Sequence, residues 1–339
     1  MLGADTTVID RGSPGPMTGM VWAFDFCDGK SAPVTLADLD CPAEPGAFRW
    51  VHLDLLDPSA RRWIDDLPAV DGEIADMLLD GDGHQHVRRV GETLAFAVHD
   101  FEREIGEGRT TRTGILIFLL APQLMVTAGR NSLLCPDVIL RRIQAGAVPA
   151  GAPAALDLMF SALIEVSKTV ARDLATIVRV AEDALIDFGT MPDPRVVADD
   201  RRRAATLHRQ LLGLRSILLR LELDDHLPEA IRPVVNKTAQ KIAALDGDAA
   251  EVHQNLQQVR EEIDMQTARR TDQNLYVLSI MNVVLLPPTL VTSFFGMNTG
   301  GLAWVDDNVG TIWVTGVMIL ATVAAVAWLF RRGYFRNGR

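Results

Sequence analysis

Two stretches near the C-terminus limit what this chain can fold into. Leu275–Asn298 (LYVLSIMNVVLLPPTLVTSFFGMN) and Thr311–Phe330 (TIWVTGVMILATVAAVAWLF) carry no Asp, Glu, Lys, Arg or His. At ~1.5 Å rise per residue, roughly 20 apolar residues cross the ~30 Å hydrocarbon layer of a bilayer, and both stretches reach that length. The competing reading is a pair of helices buried in a large water-soluble core, but core helices seldom run so far without a charge. The flanks suggest an orientation. Arg269 and Arg270 precede the first stretch, and Arg331, Arg332, Arg336 and Arg339 follow the second. The connection, residues 299–310, has no Lys or Arg and carries Asp306 and Asp307. Basic flanks stay in the cytoplasm. The sequence therefore predicts a transmembrane hairpin in a plasma membrane, with both termini and a domain of about 270 residues inside the cell. Trp304 and Trp313 fall near the outer interface, Trp328 and Tyr334 near the inner one, as aromatic belts do.

The remaining composition narrows the partners. A net charge of −11 argues against nucleic acid and favours cations near the surface. Cys27, Cys41 and Cys135 form no CxxC pair and none lies within four residues of a His, so they read as ordinary reduced thiols. The start, MLGADTTVIDRGSPGP, has neither a basic head nor an apolar core and is not a signal peptide, which leaves the first span as the insertion signal. P-loop, GxSxG and HExxH patterns are absent, so enzyme chemistry is disfavoured.

Three regions follow along the chain. Residues 1–150 read as a cytoplasmic α/β domain. Strands are expected at Gly19–Phe26, Phe48–Leu53, His86–Val90, Thr93–Phe101, Gly114–Leu120 and Leu124–Ala128. Helices are expected at Asp57–Leu67, Glu73–Asp80 and Pro136–Ala145. Gly146–Pro153 reads as a linker. Residues 151–270 read as a helical stalk domain: Leu156–Phe188 and Arg195–Glu222 as an antiparallel pair, then Ile231–Leu245 and Asp248–Arg270. Val252, Leu256, Val259 and Ile263 step by 4, 3 and 4, a coiled-coil-like seam. With no Pro or Gly between Ala249 and Leu286, one helix is expected from near Asp248 into the membrane. Residues 271–339 form the hairpin, with spans at about 275–297 and 311–330 and a cytoplasmic tail.

One hairpin cannot enclose a polar path, so transport requires several copies around an axis. At ~100° per residue, Asp272, Leu275, Ser279, Asn282, Leu286, Thr289 and Ser293 share one stripe roughly 100° wide. It holds every Ser, Thr and Asn between 275 and 293 except Thr292. Such a stripe lines a pore or glues helix to helix. As a lining it offers hydroxyls, an amide and apolar groups, with no His, Cys or Glu. That suits a cation that keeps much of its water. Pro287-Pro288 should bend the helix, with Ser, Thr or water able to satisfy the freed carbonyls. Elsewhere, His84 and His86, with His99 later, form a possible zinc cluster that lacks an evident third ligand.

Gly296-Met297-Asn298 ends the first span, and one short loop and one more span close the chain. In this context the sequence resembles the CorA superfamily of divalent-cation transporters, whose mark is GMN at that place; the likeness covers essentially the whole chain. It looks most like the ZntB zinc-transporter branch, on Thr299-Gly300-Gly301, on Trp50-Val51-His52-Leu53-Asp54 and on the Leu/Arg-rich Leu207–Leu221, although Ala303-Trp304 departs from that branch's loop pattern. The resemblance implies a homopentamer in the bacterial inner membrane, with a funnel-shaped cytoplasmic domain and a pore walled by the first spans. It implies no cofactor. The cargo would be Zn²⁺, or else Mg²⁺, Co²⁺, Ni²⁺ or Cd²⁺. It assigns ion selection to Gly296, Met297 and Asn298. An amide carbonyl at Asn298 could accept from a cation's water shell, although Asn298 taken without this context reads better as a helix C-cap. Asp306 and Asp307 would then concentrate cations at the outer mouth, unless they are simply a solvated turn. Two other readings remain: a CorA-type magnesium or cobalt channel, without the proton coupling associated with ZntB-like proteins, and a membrane-tethered sensor or scaffold.

Overall fold

The computed structural model describes residues 18–39, 46–79, 83–103, 112–186, 191–296 and 310–331. The strands are β1 (Met20–Cys27), β2 (Lys30–Pro33), β3 (Phe48–Asp54), β4 (His86–Val90), β5 (Thr93–Phe101), β6 (Thr113–Ala121) and β7 (Leu124–Gly129). The helices are α1 (Pro58–Asp65), α2 (Gly72–Leu79), α3 (Leu134–Gln144), α4 (Ala152–Ile186), α5 (Pro194–Glu222), α6 (Arg232–Phe295) and α7 (Gly310–Arg331). The chain divides into two compact units, Met1–Arg260 and Glu261–Arg339.

In the first unit the strands form one sheet in the order β2-β1-β3-β7-β6-β5-β4. All neighbours are antiparallel except β3 and β7. Because successive side chains point to opposite faces, each central strand feeds two cores. Trp50, Phe96, Phe118, Leu120 and Met125 pack with α3, α4 and α5 on one face. Val51, Leu53, Ala95, Ile117, Leu119 and Val126 pack with α1 and α2 on the other. Phe96 and Phe118 stack with centroids 4.2 Å apart, and Phe160 of α4 meets both rings edge-on at 6.0 Å. This anchors α4 to the sheet.

The helix starts follow local chemistry. Asp57 caps α1 by accepting from the Ser59 N–H at 2.8 Å, with Pro58 at the first helical position. Asp193 and Pro194 repeat the device for α5. The expected linker at 146–153 is shorter than the sequence suggested, because α4 starts at Ala152 and takes Pro153 into its first turn. β2 was not anticipated. It is an exposed edge strand of four residues, Lys30–Pro33, with neither alternation nor apolar content to signal it.

The break expected near 246–248 is also corrected: α6 runs without interruption from Arg232 through Gly247. A helical glycine costs ~1 kcal/mol, but Ile242, Leu245 and Ala249 on either side are all buried. Asp246, 5% exposed, is held by Arg215 and His208 of α5, each at 3.1 Å. Packing and an ion pair outweigh the propensity. Leu256, Val259 and Ile263 of the seam are buried, and Val252 is half-buried.

Two ionisable side chains sit inside the first unit. His52 bonds the carbonyl and hydroxyl of Thr127 at 3.2 and 3.0 Å, and burial lowers its imidazole to about 4. Asp100 is fully buried at the start of α3 and accepts from the Cys135 N–H at 2.6 Å. Burial raises its carboxyl to about 7 against the pull of the Cys135 and Phe101 amides. Between pH 4 and 7 the native state therefore holds a proton on Asp100 that the unfolded chain has released, and this group lowers stability as pH rises. Removing it with Asp100→Asn is expected to make the stability of variant minus wild type climb across that window, by about 4 kcal/mol at ~1.36 kcal/mol per unit. Urea unfolding followed by Trp fluorescence from pH 4.5 to 7.5 measures this; a pH-independent difference would mean Asp100 stays ionised in the fold.

Candidate functional site

The site expected from sequence lies in the second unit. In the apolar part of α6, 275–295, no residue is buried, and in α7 only Gly310 and Leu329 are, among the described residues. Leu275, Val277, Leu278, Met281, Leu285, Leu286, Leu290 and Phe294 are all exposed, as are Ile312, Trp313, Ile319 and Leu320. This removes the water-soluble-core reading. Both helices are long and apolar enough to cross a membrane, and their surfaces need an apolar surrounding.

The partial burial that exists is patterned. In α6 the half-buried positions are Tyr276, Ile280, Val283, Val284, Pro287, Pro288, Val291 and Phe295. In α7 they are Val314, Met318, Ala321, Thr322, Ala325 and Val326. Steps of three, four and one describe two seams of the kind helices use to lie along each other. The polar stripe is elsewhere on α6. Asp272, Leu275, Ser279, Asn282, Leu286, Thr289 and Ser293 are all exposed and share one side outside the half-buried seam. In a single chain this side has no cover.

The hydroxyls on and beside that stripe are oriented by their own helix. Ser279 donates to the Leu275 carbonyl at 2.8 Å, Thr289 to that of Leu285 at 2.7 Å and Thr292 to that of Thr289 at 3.0 Å. With the proton turned to the backbone, what remains on the outside is oxygen lone pairs. Such a surface accepts hydrogen bonds, as the waters around a cation require. Pro287 and Pro288 lie inside the uninterrupted helix and withhold the N–H groups that would serve Val283 and Val284. Thr289 bonds the next carbonyl, that of Leu285, so its hydroxyl leaves those two carbonyls to other donors. At the end of the span, a Cβ placed on Gly296 would meet the Thr292 carbonyl oxygen at 2.8 Å, so the backbone there closes up as only glycine allows. Met297, Asn298, Asp306 and Asp307 lie outside the described residues, as do Trp304, Arg332, Tyr334, Arg336 and Arg339.

Among the described residues, the histidines near the start of β4 are not joined by a third metal-ligating side chain. His86 Nδ1 bonds the His84 carbonyl at 2.8 Å, and His99 Nε2 bonds the Gly83 carbonyl at 3.0 Å. No three His, Cys, Asp or Glu side chains converge to hold an ion among the described residues. This segment instead ties the sheet to α5: Gln85 donates to the Gln210 carbonyl at 3.0 Å, and Gln210 to the His99 carbonyl at 2.6 Å. That link has no signature along the chain, because neither glutamine sits in a pattern.

Comparison with known proteins agrees with this architecture. The family model "CorA-like Mg2+ transporter protein" matches residues 45–332. The zinc transport protein ZntB of Yersinia pseudotuberculosis (serotype O:1b, strain IP 31758) is 23% identical over 319 residues, covering 92% of this chain and 94% of that protein. Among solved structures, full-length CmaX superposes with a TM-score of 0.75 at 20% identity over 94% of this chain and 99% of CmaX. The complete CorA magnesium transporter of Methanocaldococcus jannaschii does so with 0.72 at 14% identity over 92% and 98%. The α/β unit, the long helices and the two apolar C-terminal helices are thus a fold shared with these proteins, and the chain belongs to the CorA-like family of divalent-cation transporters, not to a family of enzymes.

Proposed function

We propose that this chain is a divalent-cation transporter of the bacterial inner membrane, carrying zinc through a homopentameric pore walled by copies of 275–298. The observation that carries the reading is the exposed stripe from Asp272 to Ser293, uncharged above Asp272, set apart from the half-buried seam and presenting oxygen acceptors. A row of polar groups gathered on one side at membrane depth most often faces a partner or water rather than lipid. Copies around an axis supply both, and they turn the stripe into a lumen whose weak, repeated acceptors let a hydrated ion enter and leave. Gly296, Met297 and Asn298 form the selecting end, Asp306 and Asp307 the acidic outer mouth, and Asp272 the inner one. The arginines flanking both spans hold the termini in the cytoplasm. Residues 1–150 and 151–270 make the cytoplasmic domain and stalk, and 271–339 the membrane part.

Zinc is favoured by the likeness to ZntB of Yersinia pseudotuberculosis over nearly the full length of both chains. No Asp, Glu, His, Lys or Arg lies inside either span, so proton coupling rests on Asp272, the loop acids, water or cytoplasmic residues. The second reading, a magnesium or cobalt channel, is favoured by the family's description and by the fold shared with the Methanocaldococcus CorA. Ion uptake into proteoliposomes separates them. Zn²⁺ uptake is expected to saturate, to quicken when the outside is more acid, and to fall at least about tenfold in Asn298→Ala, as loss of ~1 kcal/mol from each of several amides in a ring requires. Mg²⁺ carried with Zn²⁺ excluded would replace the first reading with the second. No flux of either ion, with Asn298→Ala indistinguishable from wild type, would leave a membrane tether.

A further inference from the structure

One cavity in the first unit has a chemistry opposite to that of a cation path. It lies between α5 and α6, has a volume of about 580 Å³, and is lined by Arg202, Ala205, Thr206, His208 and Arg209 of α5 and by His253 of α6. Residues 202, 205, 206 and 209 step by three, one and three, so they share one face of α5. No carboxylate lines the cavity among the described residues. In a chain of net charge −11 this is a concentrated positive site.

The charges in it are poorly compensated. Arg209 bonds neutral oxygens, the Ala205 carbonyl and the Thr206 hydroxyl, both at 3.3 Å. Among the described residues Arg202 reaches the solvent-exposed Asp199, at 3.6 Å. Asp246, behind His208, is shared at 3.1 Å between His208 and Arg215 and is itself 5% exposed. His253 bonds Gln257 through Nε2, while its enclosed Nδ1 has no hydrogen-bond partner among the described residues. Burial, with His208 and Arg201 nearby, lowers its imidazole below the usual histidine value. Two imidazoles beside an aspartate are also the donor types of a metal site. However, Arg201, Arg202 and Arg209 repel a dication, Arg215 already holds one oxygen of Asp246, and no ligand trio converges here among the described residues.

We propose that this cavity binds a small molecule through its phosphoryl group, with Arg202 and Arg209 as forks on the anion and His253 and Thr206 as further donors. Guanidinium groups match phosphate oxygens two at a time. The volume is within the range of small-molecule sites and leaves room beyond one phosphoryl group. A polyphosphate and a nucleotide share this chemistry, and the test separates them.

The test uses the full-length protein in detergent, metal-free and in 0.15 M NaCl, titrated calorimetrically with sodium pyrophosphate and, separately, with ADP. Saturable binding of pyrophosphate at one site per chain is expected, weakened at least tenfold in Arg202→Gln/Arg209→Gln. Both side chains are exposed, so the unliganded melting temperature of the variant should match the wild type. Thr206→Asp, which puts a carboxylate in the cavity, should weaken binding as much. ADP bound more than tenfold tighter than pyrophosphate identifies a nucleotide site; equal or weaker ADP binding identifies the phosphoryl group alone as the ligand. Absence of saturable binding of both compounds at millimolar concentration, or undiminished binding in the two variants, would overturn the proposal.

Discussion

Asn282→Leu is expected to cut divalent-cation flux by at least tenfold while leaving the protein folded and assembled. Asn282 is the one amide on the described stripe, exposed, with Ser279 and Leu286 as its neighbours on that side of α6. Leucine has the same branched outline, is larger, and suits a membrane helix better, so at this exposed position the helix is expected to keep its fold. In a ring of copies, however, it exchanges a set of amides for a second ring of leucines one turn from Leu286, an apolar constriction broken only beyond it by Ser279 and Thr289. Such constrictions close by dewetting, and a hydrated dication passes them poorly. Met281→Leu is the matched control, since Met281 is exposed away from the stripe. Zinc uptake reported by an indicator dye inside vesicles distinguishes the two. Equal flux in both variants would mean that the stripe does not face the ions.

The largest effect on stability is expected from Phe160→Ala. Phe160 is 1% exposed and closes an aromatic trio with the stacked Phe96 and Phe118. Its removal loses both transfer energy and edge-on ring contacts at the place where α4 meets the sheet. Phenylalanine truncations in such cores cost about 3–5 kcal/mol. Urea unfolding of the first unit should show a lower midpoint with an unchanged slope. A cost below about 1 kcal/mol would contradict the packing of α4 on β5 and β6.

Much of this fold is readable from the residues, for identifiable reasons. β4 and β5 begin and end where the sequence predicts, at His86–Val90 and Thr93–Phe101, because two short strand-like runs flank Gly91, which turns the chain with φ +58°. The two apolar helices are equally plain, since nothing in a soluble core calls for so long an uncharged run. Tertiary effects were less legible. Gly247 looks like a stop, yet Ile242, Leu245 and Ala249 pack on either side and Asp246 is tied to α5, so α6 continues. β2 has no pattern of its own and exists because β1 offers it an edge. At the candidate site, periodicity alone placed Asp272 through Ser293 on one side. What it could not supply was the direction of the hydroxyls, which depends on the carbonyl four residues back, or the half-buried seam that leaves the stripe free. The basic cavity between α5 and α6 was invisible for the same reason: His208 and His253 are far apart in sequence and meet only through packing.

Thiol accessibility along α6 tests most directly whether the polar stripe faces water in an assembled pore. Single cysteines at positions 279, 282, 286, 289 and 293, and at 277, 281 and 285, would be placed in a background without Cys27, Cys41 and Cys135, reconstituted in vesicles and treated with a membrane-impermeant thiol reagent. The expected result is modification and block of ion flux at 279, 282, 286, 289 and 293, with 277, 281 and 285 unreactive. Reaction at 277, 281 and 285 with the first set protected would contradict it, because the hydroxyl and amide side would then be turned away from the ions.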